Sequence, residues 1–227
     1  MRTLGVDFAA QPANTAACLV EWRDGIAAIL RIERPCDDER LRSLFAEADK
    51  VGIDVPLGWP DPFVRAVHAH HAGGPWPSET TSALCLRRTD LAVWKATGVR
   101  PLSVSTDRIG ITAFRAASLL NLEAVDRLGA GRFVEVYPRV ARLRFGIEAS
   151  SAALLASAPW LRIPADAALA IDSSRHCLDA VIASLAARAA AVGLCEPVPA
   201  EERVLAAREG WIAVPTIDAL GGLPQAA

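Results

Sequence analysis

The sequence predicts a mixed α/β fold: three antiparallel strands, then a helix, then parallel strands, in a sheet flanked by helices. Three observations predict it. In residues 3–9 the apolar Leu4, Val6 and Phe8 alternate with Gly5 and Asp7, the period of a strand. Asp24-Gly25 separates two apolar runs, residues 15–22 and 26–32, and is a short-range hairpin signal because glycine takes positive φ without strain. Residues 51–55, Val-Gly-Ile-Asp-Val, stop at Pro56 and follow a helical stretch, as in a right-handed strand–helix–strand crossover.

The elements follow in order. Asp37 or Asp38 caps a helix to about residue 48, with Leu41, Leu44, Phe45 and Ala48 on one face. This order opens a ribonuclease-H-like or an actin-like domain. Residues 61–131 read as a mainly helical insertion over the sheet edge, with a short helix at 63–71, a Gly-Pro-Trp-Pro loop and a long helix from Asp107 through Leu128. Residues 133–137 form a fifth strand stopped by Pro138, and helices start at Arg139 and Ser151. An alanine-rich helix spans 174–192, another 200–208, with a short strand at 211–214 and a loose tail over 216–227.

At 227 residues and 52% hydrophobic composition, the chain suits one domain, residues 1–227, that contains the insertion. No apolar run reaches membrane-spanning length and the N-terminus lacks a signal-peptide pattern, which predicts a cytoplasmic protein with no membrane partner. The five cysteines form no CxxC, so neither a disulfide framework nor a structural zinc site is suggested. A net charge of −2 argues against a strong non-specific grip on duplex nucleic acid but not against a locally basic groove.

The chemistry sits in isolated carboxylates. Asp7 and Asp54 each interrupt an apolar strand, where an unpartnered carboxylate is costly to bury. On neighbouring parallel strands they converge on one metal-sized pocket. His176 and Asp179, three apart in an apolar helix, project from one face. Oxygen ligands with one imidazole suit Mg²⁺ or Mn²⁺ better than zinc. Two such ions about 4 Å apart can activate a water and stabilise a leaving oxygen.

Gly5-Val6-Asp7, Gly52-Ile53-Asp54-Val55-Pro56-Leu57-Gly58, Arg88-Thr89-Asp90, Glu135-Val136-Tyr137-Pro138, Leu178-Asp179-Ala180 and the run from Glu209 to Pro215 resemble the successive blocks of an uncharacterised bacterial and archaeal family. That family is described as predicted nucleases with a ribonuclease-H-like fold. His176-Cys177-Leu178-Asp179-Ala180 is also similar to the last-helix motif of Holliday-junction resolvases, whose other ligands come from the first and fourth strands, matching Asp7 and Asp54. The fourth-strand ligand in resolvases is often glutamate, and Asp54 is shorter.

The resemblance implies a metal-dependent nuclease acting on nucleic acid, with Asp7, Asp54, Asp179 and His176 on Mg²⁺ or Mn²⁺. Glu135 is either a further catalytic carboxylate or the orienter of an arginine. Arg87, Arg88 and Arg139 are the candidate contacts to substrate phosphate, against an internal salt link for the first two. His68, His70 and His71 look like a ligand cluster but lack a nearby partner, and Trp59 and Trp76 read as loop anchors before base-stacking groups. The rival classes are an actin-like phosphotransferase, disfavoured by a glycine-free turn after Asp7, and a catalytically silent binding module. The sequence is compatible with a homodimer and does not choose among DNA, RNA and small phosphodiesters.

Overall fold

Alternation in the first strand becomes two faces of a sheet. The structure is a computed structural model describing residues 1–121 and 123–225. Strands β1 (Arg2–Asp7), β2 (Ala16–Arg23) and β3 (Ile26–Glu33) form an antiparallel meander. Its hairpin turns at Asp24 and Gly25, with φ of 51° and 76°. Helix α1 (Asp38–Glu47) starts where the Asp37 carboxylate accepts from Arg40 N at 2.8 Å, and leads to β4 (Lys50–Ile53), parallel to β1.

The insertion supplies α2 (Asp61–His71), α3 (Thr81–Cys85), α4 (Arg88–Thr97) and α5 (Ile109–Leu119). Then follow β5 (Phe133–Glu135), α6 (Pro138–Phe145), α7 (Ser151–Ser157), β6 (Leu161–Arg162), α8 (Ala165–Ser173), α9 (Arg175–Ala191), α10 (Arg203–Glu209) and α11 (Ala219–Gly222). Among the described residues six strands form one sheet in the order β5-β4-β1-β2-β3-β6. β5 runs parallel to β4, and β6 parallel to β3. This is the ribonuclease-H-like arrangement expected: three antiparallel strands, then parallel ones, flanked by helices.

Leu4, Val6 and Phe8 pack with Val51, Ile53, α1 and α5 on one side of the sheet. The other side carries α9, apolar all round and therefore buried, as such a helix must be. It lies against glycines: a Cβ on Gly5 would sit 2.0 Å from Ala180 O and 2.1 Å from Ser184 N, and one on Gly52 2.6 Å from Ala183 O. Because those atoms are backbone, Gly5→Ala must displace α9. The expected cost is at least about 1–3 kcal/mol, read as a lower urea midpoint. An unchanged midpoint would mean that helix and sheet are not in register here.

Several elements depart from expectation. The long helix expected from Asp107 through Leu128 stops at Leu119, and Leu122 lies outside the described residues. The Asp107 carboxylate accepts from Ser103 N at 2.7 Å, so it closes the preceding turn instead of capping the helix. Residues 211–214 make a single bridge, Glu135 to Ile212, in place of a strand. The segment expected as a loose tail contains α11, with Ala219 and Leu223 fully buried; Ala226 and Ala227 lie outside the described residues. β6 and α8 had no counterpart in the sequence reading.

Candidate functional site

Asp7 ends β1, and Asp54 directly follows β4. Asp54 N donates to Val6 O at 2.9 Å, which carries the parallel ladder one step past Ile53 and sets Asp54 beside Asp7. Both share the parity of Gly5 and Gly52, so both face α9. The first turns of α9 meet them. His176 Nδ1 lies 2.5 Å from Asp7 Oδ2, and Asp179, three residues on, stands on the same helix face. The side chains of Asp7 and Asp179 are each 14% exposed, and that of His176 is 41% exposed.

The electrostatics are those of crowded carboxylates. Burial, opposed by the His176 hydrogen bond and charge and reinforced by Asp179, raises the Asp7 pKa to about 6. Asp54 is held well above the ordinary carboxylate range by burial, then by Asp7, Asp179 and Glu135. Among the described residues no hydrogen bond or cation reaches its side chain. Burial also raises Asp179, against Arg175 and Arg142. Arg175 Nε approaches Asp179 Oδ2 at 3.3 Å, an i,i+4 pair that the sequence reading missed although Arg175 directly precedes His176. Exposed Arg139 stands beside the Tyr137 hydroxyl, whose pKa burial raises.

At three positions the structure takes the ion-pair alternative to the expected catalytic or phosphate-binding role. Glu135 ends β5 and is buried. It pairs in register with Ile53, whose side chain faces away from α9, so Glu135 points to the opposite side of the sheet from Asp54. There it takes Arg87 in a bidentate pair at 2.7 and 2.8 Å, the arginine-orienting alternative. Arg87 is no phosphate contact: it is 2% exposed and also holds Asp90 at 2.9 Å. Burial works against its charge, and Glu135 and Asp90 outweigh that, so its pKa is pushed up. Arg88 turns to Glu202 in an ion pair. Of the three, Arg139 is the one in no ion pair among the described residues.

A buried carboxylate that sequence reasoning missed, Glu209, accepts from Asp61 N at 2.8 Å and Arg88 N at 2.7 Å, tying the starts of α2 and α4 to the end of α10. The histidines of α2 are exposed, and His70 packs edge-on against Trp76. Trp59 stacks on Phe114 at 5.8 Å, which fits the loop-anchor reading.

The model of the family described as "Protein of unknown function (DUF429)" matches residues 5–204. The chain belongs to that family. The match runs from β1 through α9 and so includes Asp7, Asp54, His176 and Asp179. No curated protein and no solved structure matches the chain. No helix among the described residues is long and apolar enough to cross a membrane.

Among the described residues no group of three or more His, Cys, Asp or Glu side chains is set to hold a metal ion. The donors are nevertheless the right kind for a hard divalent cation. Asp54 is a carboxylate without a cationic partner beside two further carboxylates, and one imidazole completes the set.

Proposed function

We propose that this member of DUF429 is a metal-dependent phosphodiesterase acting on nucleic acid. The observation that carries the reading is Asp54: an uncompensated carboxylate at the end of a parallel strand, level with Asp7 and facing the helix that bears His176 and Asp179. Asp7, Asp54 and Asp179 would hold Mg²⁺ or Mn²⁺, which when bound lowers the pKa of a water and stabilises charge on phosphoryl oxygens.

The protein's own groups supply the rest. With Nδ1 donating to Asp7, His176 keeps Nε2 as a proton acceptor for the attacking water, while the other Asp7 oxygen stays free as a ligand. Arg139, Arg142 and Arg175 put positive charge around the carboxylates and suit bidentate contact with phosphate. The actin-like phosphotransferase reading is weaker. In the turn after Asp7, Ala9 N donates to Thr15 Oγ1 and Ala9 O accepts from Arg115, so that turn is tied to the protein and not open to a phosphate.

The test is a cleavage assay on single-stranded, duplex and four-way-junction DNA and on RNA, with Mn²⁺ or Mg²⁺. Ion-dependent cleavage is expected, because the three carboxylates suit either hard cation. His176→Ala should lose on the order of 10²–10⁴-fold, the usual contribution of a general base, and His176→Asp, which keeps a proton acceptor there, should lose less. Absence of cleavage of every substrate with either ion would refute the nuclease reading, and a fully active His176→Ala would remove the histidine from it.

A further inference from the structure

A pocket of about 200 Å³ opens beside Asp54, between the C-terminal ends of the parallel strands and the insertion that roofs them. Strand ends of this kind are where open α/β sheets place their ligands. Its walls are mostly apolar, from Phe8, Leu102 and Ile109, with Thr112, Tyr137 and Asp54 as polar points. The Thr112 hydroxyl has no hydrogen-bond partner among the described residues. The one guanidinium lining the pocket, Arg87, is consumed by Glu135 and Asp90. No free cation therefore awaits a phosphate there.

Sites that enclose drug-sized ligands run to about 300–1,000 Å³. A pocket smaller than that, apolar and without a free charge except the carboxylate at its mouth, suits one uncharged, flat ring system. We infer that it receives the nucleobase of a nucleotide next to the scissile phosphate. A paired, stacked base cannot enter it, so the substrate is single-stranded or carries an unpaired nucleotide at the cleavage site. This rests on the phosphodiesterase reading and narrows its substrate to nucleic acid with an exposed base.

Two measurements on the full chain test it, and the second does so independently of that reading. In the first, Mn²⁺-dependent cleavage is compared on a single-stranded oligonucleotide and on one with a run of tetrahydrofuran abasic residues. Wild type should cut the intact strand about tenfold or more faster than the abasic run, since loss of the positioning contact misplaces the phosphate. Thr112→Trp, which fills the pocket, should bring the intact strand down to the abasic rate. Equal rates for wild type on both substrates would overturn the inference while leaving the phosphodiesterase reading intact.

The second measurement is saturation-transfer NMR with the four nucleoside 5′-monophosphates, which needs no turnover. Transfer to base protons in wild type and its loss in Thr112→Trp would support the pocket even if no diester is cleaved. Absence of transfer in wild type would overturn it. If Thr112→Trp does not fold, Thr112→Met narrows the same space and carries the same comparison.

Discussion

Glu135→Ala should destabilise the protein by about 3–5 kcal/mol, because it strands the Arg87 guanidinium in the interior with half its partners gone. The pair is buried on both sides, 2% and 3% exposed, so solvent cannot replace the lost carboxylate. Leu57 N loses its acceptor at 3.0 Å as well, and with it the hold on the loop that follows Asp54. For a chain of this size such a loss lowers Tm by roughly 10 °C or more, and thermal unfolding followed by circular dichroism reads it directly. A change of under about 1 kcal/mol would mean that the network is solvated, as for a surface ion pair.

Asp7→Asn has the opposite sign in the metal-free protein. The Asp7 pKa is raised from the ordinary 3.8 to about 6, so the folded state holds a proton that the unfolded state gives up. Between about pH 4 and pH 6 the wild type therefore loses stability as pH rises, and above that the penalty is constant. At roughly 1.4 kcal/mol per pKa unit it amounts to about 2–3 kcal/mol at neutral pH. Asn removes the charge and keeps an acceptor for His176, so Asp7→Asn should be more stable than wild type at pH 7 without metal. The two should converge near pH 4, and the variant should not cleave nucleic acid. Urea melts across that pH range check it; a wild type whose stability rises from pH 4 to 6 relative to Asp7→Asn would reverse the sign and remove the crowded-carboxylate picture.

How much of this was legible in the sequence depends on whether the information was local. Asp7 and Asp54 stood out because each breaks an apolar strand pattern, and the crossover order made the strands neighbours, as β1 and β4 are. His176 and Asp179 were readable from helical spacing within an apolar helix. Glu135 was not assignable the same way. Its face follows from pairing with Ile53, and a one-residue change of register would have turned it toward Asp54. For Arg87 a phosphate contact and an internal salt link both stayed open, because the contacts that bury it come from β5 and from Glu209, far along the chain.

The helix expected to run from Asp107 to Leu128 was long because its apolar spacing continues. Its start was lost to a local competitor, the turn that Asp107 closes on Ser103. β6 is two residues long, too short for any periodicity to register. The tail looked loose because Gly221, Gly222 and Pro224 break every pattern there, yet Leu223 fills the core around α9.

The most direct test of the metal-binding carboxylates is calorimetric titration of Mn²⁺ into the metal-free chain at neutral pH. It should be run on wild type, on Asp54→Asn, and on His68→Ala as a control at the exposed histidine cluster. Saturable binding by wild type and His68→Ala, with its loss in a folded Asp54→Asn, is the expected result. Equal Mn²⁺ affinity in Asp54→Asn and wild type would contradict it, and would mean that the carboxylates facing α9 do not form a metal site.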